Sequence, residues 1–167
     1  MYHPIDINHW ERRELFEHFS RLKMPHYAVA ANIDVTPLLA FKRREGLSFY
    51  LSLIYLTTEV LNSIEAFRLR IIDGQVVIFD TIHTNLTHKR PEEQVFRFHT
   101  APFEGTLRQY VEATSKAIAS QTTLFGGMGD IPNVVYCSCA PTLDATGIAG
   151  FFLLVQANKA ARNVFVK

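Results

Sequence analysis

Cysteine is scarce in this 167-residue chain. Its two cysteines, Cys137 and Cys139, are separated by one residue, so on a strand they would share a face and a direct disulfide would be strained. We therefore expect two reduced thiols and a cytoplasmic protein. No spacing of cysteine and histidine resembles a zinc signature, so we predict no metal.

An excess of charge of one sign is also missing. The 17 basic and 16 acidic side chains leave a net charge of +1, which argues against a nucleic-acid or anionic-membrane partner held by bulk electrostatics. No uncharged apolar run reaches about 18 residues, so we expect no membrane span. The early charges at the N-terminus are not typical of a secretory signal, and no glycine-rich nucleotide-binding motif occurs.

Phenylalanine, by contrast, is abundant, with 13 residues. The most apolar segment is 49–70, FYLSLIYLTTEVLNSIEAFRLR, whose first half is apolar on nearly every side of a helix. Such a pattern predicts a helix that is buried on all sides. The length predicts a single domain, 1–167, with a substantial core.

The remaining segments alternate between helix and strand signals. Asp73-Gly74 lies between two β-rich runs in 68–80 and predicts a tight hairpin. Thr36 followed by Pro37 predicts the start of a helix that runs to about Glu45. We also predict helices at 8–22 and 105–121 and strands at 27–35, 94–99 and 133–140. The predicted class is α/β (α+β) with a mixed sheet.

Several of these segments, in this order, resemble the chloramphenicol acetyltransferase family between about residues 6 and 146. The resemblance covers the opening helix, the end of the next strand, the apolar helix with the turn after it, the hairpin and a late strand. The matching residues are Trp10–Glu14 with Phe16–Phe19, Ile33–Thr36, Phe49–Leu56, Asn62, Phe67–Arg70, Asp73–Val77, Asp80, Ser138 and Ala140-Pro141.

This resemblance implies a two-layer sandwich with a mixed sheet, as in CoA-dependent acyltransferases. It implies acetyl transfer from acetyl-CoA to a hydroxyl of chloramphenicol or a related acceptor, an activity that confers antibiotic resistance. It also implies a homo-oligomer, a trimer in that family, with each site between subunits.

By resemblance, Ser138 supports the oxyanion and Arg12 is structural. The residues that the resemblance assigns to acceptor binding are His18, Phe19, Asn85, Thr87, Phe96, Phe98, Phe125 and Tyr136. The residue pattern leaves alternatives open, because Ser138 could be a strand serine bonded to the backbone and the phenylalanines could be core. On a strand at 133–140, Ser138 would face away from both cysteines.

One feature of the family is missing from these 167 residues. The family's general base is a histidine in a late His-His-x-x-x-Asp-Gly motif, whereas all seven histidines here precede residue 100. His18 and His99 are poor replacements, since His99 should face away from Phe98. We therefore expect an inactive or impaired, C-terminally truncated protein in which residues 146–167 are a divergent tail.

Two further expectations follow from the missing motif. Arg12 loses its family aspartate and must find another partner or remain solvated. The alternative to an enzyme is a non-catalytic remnant of the fold that binds an aromatic ligand or associates with itself through exposed strand edges.

Overall fold

The computed structural model describes residues 1–25, 33–129, 131–139 and 151–154. Most of the strand predicted at 27–35 therefore lies outside the described residues, as does the end of the tail. The helices are a short 3-10 turn at Ile7–His9, α1 (Arg13–Ser20), α2 (Thr36–Glu45), α3 (Phe49–Ser63), α4 (Glu65–Arg68) and α5 (Leu107–Ser120). The strands are β1 (Tyr2–Pro4), β2 (Leu69–Ile72), β3 (Gln75–Phe79), β4 (His83–His88), β5 (Arg97–Ala101), β6 (Phe125–Gly127), β7 (Val134–Cys139) and β8 (Phe151–Leu154).

The described strands form two sheets. Three antiparallel strands pair in the order β1-β3-β2, and five pair in the order β6-β5-β4-β7-β8. In the larger sheet β4 pairs antiparallel with β5 but parallel with β7, and β5 pairs parallel with β6. The predicted mixed sheet is therefore confirmed.

The predicted hairpin joins β2 to β3. Asp73 and Gly74 both have positive φ, 49° and 81°, as a type I′ turn requires. Gly74 carries no Cβ, and aspartate tolerates the left-handed region better than most residues, so this dipeptide fits the turn. The pairing of Ile72 with Gln75 closes the hairpin as predicted.

Helix α3 begins at the N-cap Ser48, whose hydroxyl accepts a hydrogen bond from the Leu51 amide. Ile54 is fully buried, and the helix packs against α2, α5 and the larger sheet. The prediction of burial on all sides was wrong, because Val60 is 57% exposed. Near its C-terminal end, α3 packs on the sheet with one side only, so its opposite side faces solvent.

The predicted helix at 8–22 is two separate pieces. Asp6 caps the 3-10 turn by accepting from the Asn8 amide, and α1 starts only at Arg13. The predicted apolar stripe of α1 is not buried, since Leu15 is 62% exposed and Phe19 is 50% exposed. The amphipathic pattern of this segment predicted a helix. It did not predict that the apolar side of this helix would be exposed.

The strand predicted at 94–99 begins later, at Arg97. Register explains the shift, because Arg97 pairs with His88, the last residue of β4. Phe96 has no partner across the sheet and is 57% exposed. The structure therefore separates Phe96 from Phe98, which the alternation pattern had placed on one strand face.

Arg70 connects the two sheets. It lies on β2, is only 5% exposed, and donates to the carbonyl oxygens of Pro132 (3.0 Å) and Val134 (2.9 Å) near the start of β7. The same guanidinium donates to the carbonyls of Phe67 and Leu69. Desolvation by burial lowers the pKa of Arg70. Among the described residues no carboxylate is recorded as its partner, and backbone carbonyl oxygens accept its hydrogen bonds instead.

Within the described ranges, none of the helices has the length and apolar character that crossing a membrane requires.

Candidate functional site

One face of the five-stranded sheet carries most of the predicted site residues. Register places Phe125 of β6 beside Phe98 of β5, and Phe98 beside Thr87 of β4. Ser138 of β7 continues this row, because the Thr87 hydroxyl reaches its Oγ at 3.0 Å. Four strands thus place two aromatic rings and two hydroxyl groups in one line across the sheet.

A second row on the same face is polar. Asn85 pairs with Thr100 on one side and with Tyr136 on the other. The Asn85 Nδ2 donates to Thr100 Oγ1 at 2.8 Å, and Thr100 Oγ1 donates to the Gly129 carbonyl at 2.9 Å. The bond to Thr100 fixes the orientation of the Asn85 amide, with Nδ2 as the donor and Oδ1 as the acceptor.

Ser138 lies on the open side of β7. Val135 and Cys137 are buried on the helix-facing side of this strand, whereas Ser138 is exposed. Burial raises the pKa of the Cys137 thiol to about 12, so this cysteine is inert. Alternation along the strand therefore places the residues as predicted, although the side chain of Cys139 is not among those described.

The hydroxyl of Ser138 accepts its recorded hydrogen bond from a side chain, Thr87, rather than from the backbone. A serine hydroxyl has one hydrogen to donate and two lone pairs to accept with. Because Thr87 is the donor, the Ser138 hydrogen is not used in this contact. No acceptor for it is recorded among the residues that the structure describes, so it can meet an oxygen placed above the sheet.

The aromatic part of the row is a stacked pair. The rings of Phe98 and Phe125 lie 5.3 Å apart between centroids with an angle of 11° between their planes. Phe125 is 71% exposed, so the pair presents an aromatic surface rather than filling the core. Such a surface suits a flat apolar ligand.

Four predicted residues are not brought into the rows. His18 and Phe19 pack edge to face on α1 at 5.2 Å, and both are exposed. Phe96 lies before β5, with the Lys89 ammonium 6.0 Å from its ring. Arg12 is exposed at the start of α1.

The opposite face of the sheet holds two histidines. His99 is 5% exposed, and its Nδ1 lies 2.9 Å from Gln121 Oε1, which His88 Nε2 also approaches at 3.5 Å. Gln121 Nε2 donates to the carbonyls of Phe98 and Thr123, which fixes Oε1 as the acceptor for both rings. His99 therefore lies on the sheet face opposite Phe98, as predicted, and serves the structure of β5.

Two contacts of the site were not predicted. Gln121 holds β5 and the chain before β6 in place, and the Tyr50 hydroxyl of α3 donates to the Thr87 carbonyl at 2.9 Å. Gln121 follows α5 without a distinguishing motif, so only the tertiary structure reveals its role. Tyr50 belongs to the apolar segment 49–70, whose pattern predicts burial but no hydrogen bond from the Tyr50 hydroxyl.

Histidine burial predicts a dependence of stability on pH. Burial is the main cause that lowers the pKa of His83 and of His88, and the Nδ1 of His83 must stay unprotonated to accept from the Phe103 amide. The unfolded chain then binds more protons than the fold near pH 6.5, so stability should fall as pH drops from 7 to 5.

Urea denaturation at several pH values tests this expectation. A variant with both His83→Gln and His88→Gln should lose part of the slope, which is at most about 1.4 kcal/mol per pH unit for each proton. His18→Gln on the exposed helix α1 is the control and should keep the slope. Equal slopes in all three proteins would contradict the assignment to His83 and His88.

No group of three histidine, cysteine, aspartate or glutamate side chains that could hold a metal ion occurs among the residues that the structure describes.

Comparison with known proteins finds a family model that matches most of the chain. The family model described as chloramphenicol acetyltransferase matches residues 1–161, which extends past the predicted range of 6–146. Chloramphenicol acetyltransferases from Escherichia coli and Klebsiella sp are 25% identical to the chain over 147 residues, covering 87% of the chain and 67% of each relative. The Streptomyces acrimycini chloramphenicol acetyltransferase is 29% identical over 148 residues.

A solved structure leads to the same result. A chloramphenicol acetyltransferase structure superimposes with a TM-score of 0.76 at 25% identity, covering 90% of this chain and 74% of that chain. The predicted fold is thereby confirmed. The chain spans about two thirds of the length of the curated relatives it matches. With its sheet order and the match over residues 1–161, the chain belongs to the chloramphenicol acetyltransferase family.

Proposed function

We propose that the open face of the five-stranded sheet binds chloramphenicol or a related aromatic alcohol and serves acetyl transfer from acetyl-CoA. In this reaction the acceptor hydroxyl oxygen attacks the thioester carbonyl carbon, an oxyanion forms, and the carbon–sulfur bond breaks to release the CoA thiol. The acceptor's proton must leave to a base. Names of the relatives and the mixed-sheet fold support the reaction class.

The observation that carries the proposal is the row formed by Phe125, Phe98, Thr87 and Ser138. Its aromatic end offers a stacked pair of rings for the acceptor, and its polar end offers an exposed serine hydroxyl for the oxyanion. Both ends lie on one sheet face, so a ligand that stacks on Phe98 places its substituents toward Ser138. Asn85 adds a fixed acceptor for a ligand N–H or O–H.

We further propose that these 167 residues alone transfer acetyl groups poorly. Within the described ranges no histidine hydrogen-bonds to Ser138. His99 is bound to Gln121 on the far face, His83 accepts from the Phe103 amide, and His9 pairs with Asp6. A neutral alcohol is a weak nucleophile near pH 7, so losing the base removes about 10²- to 10⁴-fold in rate.

Activity and binding measured side by side test the proposal. The purified chain, mixed with acetyl-CoA and chloramphenicol, should release CoA about 10²- to 10⁴-fold more slowly in a thiol-reagent assay than a relative that carries the late histidine motif. Calorimetry should still detect chloramphenicol binding. Phe98→Ala should weaken that binding by up to about tenfold, since one aromatic stack is worth about 1 kcal/mol. Phe96→Ala, which changes an exposed phenylalanine outside the row, should leave binding unchanged.

Three outcomes would contradict parts of the proposal. Fast CoA release that a histidine substitution abolishes would overturn the claim of poor transfer. The absence of a heat signal with both chloramphenicol and acetyl-CoA would contradict ligand binding at this sheet face. The exposed Phe125 also supports assembly of copies of this chain through the same face. A single-chain mass in light scattering at every concentration would contradict that assembly.

A further inference from the structure

We propose that Thr87 is a positioning residue for Ser138: its hydroxyl donates to Ser138 Oγ and so directs the serine hydrogen outward, toward the position of the developing oxyanion. This inference rests on the proposed function, because it concerns the serine that would support the oxyanion. It adds to Thr87 a role distinct from lining the acceptor pocket, since here Thr87 acts through another side chain.

The hydrogen bond between the Thr87 and Ser138 hydroxyls has a defined direction. Thr87 Oγ1 lies 3.0 Å from Ser138 Oγ, with Thr87 as the donor. A hydroxyl that accepts from one side has its own hydrogen in one of the remaining directions. A hydroxyl that accepts a hydrogen bond also becomes a better donor, because neighbouring bonds polarise one another.

Thr87 is itself fixed by its surroundings. Its carbonyl accepts from the Tyr50 hydroxyl at 2.9 Å, which ties the end of β4 to α3. β4 is also central in the sheet, with β5 on one side and β7 on the other. The Thr87 side chain is β-branched and therefore restricted at χ1. The position of the Thr87 hydroxyl is thus set by the packing of β4 against α3. Ser138, although exposed, therefore has a hydrogen-bond donor in a defined position.

Within the described part of the chain, Ser138 has no recorded competing partner. Cys137 points into the core from the same strand, and the recorded contact of the Ser138 side chain is with Thr87. Without that donor, the serine hydroxyl would be free to rotate among its staggered positions. Oxyanion support requires donors that are oriented before the charge develops, so a freely rotating hydroxyl is a weaker one.

A thiol titration tests the contact without any turnover. Ser138→Cys is made in a Cys139→Ser background, and Cys137 stays silent because burial raises its pKa to about 12. The pKa of the introduced thiol is read from its rate of reaction with a disulfide reagent at several pH values. Adding Thr87→Val should raise that pKa by about 1, since a donor to the thiolate is lost, whereas Thr87→Ser should restore it.

An infrared measurement tests the role at the oxyanion. Acetyl-CoA labelled with ¹³C at the carbonyl is bound to the otherwise unaltered chain, and its carbonyl stretch is compared with that of Thr87→Val, Thr87→Ser and Ser138→Ala. We expect a lowered frequency in the unaltered chain and in Thr87→Ser. Thr87→Val and Ser138→Ala should both return toward the frequency of free acetyl-CoA.

The two measurements separate the possible failures. Equal thiol pKa values with threonine and valine at position 87 would overturn the positioning role. A carbonyl frequency that Thr87→Val leaves unchanged would do the same. If acetyl-CoA does not bind to the unaltered chain, the proposed function and the oxyanion role fail together, while the thiol titration still decides whether Thr87 orients Ser138.

Discussion

Replacing Arg70 with methionine should lower the free energy of unfolding by about 3 to 5 kcal/mol. Methionine keeps much of the side-chain length but removes every donor, so the carbonyls that Arg70 now satisfies lose their partner in a buried setting. Two of these carbonyls, Pro132 and Val134, belong to the segment that starts β7. Since the free energy of unfolding of such domains is about 5 to 15 kcal/mol, this loss would remove a large part of the stability.

Urea denaturation followed by circular dichroism measures this effect. Arg44→Met is the matched control, because the Arg44 side chain is 70% exposed, and its recorded contacts are a salt bridge with Glu45 and a cation–π contact with Phe41. The control should change the stability by less than about 0.5 kcal/mol. An unchanged midpoint for Arg70→Met would show that the larger sheet does not depend on this arginine for its attachment to β2.

Replacing Gly127 with alanine should detach β6 from β5. A Cβ at Gly127 would lie 2.0 Å from the Thr100 carbonyl oxygen, and this neighbour is backbone that cannot rotate away. The φ of +77° adds strain for any residue with a side chain. We expect a loss of about 3 kcal/mol or more in the pairing of β6, together with the separation of Phe125 from Phe98.

Gly129→Ala is a close control for this change. Gly129 has nearly the same φ, +79°, but nothing lies within 4 Å of its Cβ position, so only the strain of about 1 to 2 kcal/mol remains. Hydrogen exchange at the Met128 amide, which donates to the Thr100 carbonyl, reports on the pairing directly. Retained protection in Gly127→Ala, or equal losses in the two variants, would contradict the steric explanation.

Local patterns predicted the parts of the site that depend on one strand at a time. The Asp73-Gly74 dipeptide specified its turn because only certain residues adopt positive φ cheaply. Alternation along β7 placed Ser138 opposite Cys137, since side chains in a strand alternate between faces. Both features depend only on residues that are close together in the sequence.

Local patterns do not predict contacts between segments that are distant in the sequence. The hydrogen bond from Tyr50 to Thr87 joins α3 to β4, and Arg70 meets carbonyls that lie about 60 residues further along the chain. Neither residue type specifies its partner, because a tyrosine hydroxyl or an arginine guanidinium can donate to any carbonyl oxygen within reach. Phe96 shows the opposite error, since the alternation predicted a strand from residue 94, whereas pairing with β4 begins β5 only at Arg97.

The parallel pairing of β4 with β7 has a consequence for how the site is formed. Parallel neighbours cannot be joined by a tight turn, so residues 89–133, including β5, α5 and β6, lie between them in the chain. Closing this long loop costs chain entropy before any contact repays it. Thr87 therefore meets Ser138 only after most of the sheet is in place, and the site should be among the last features to appear when the unfolded chain is returned to native conditions.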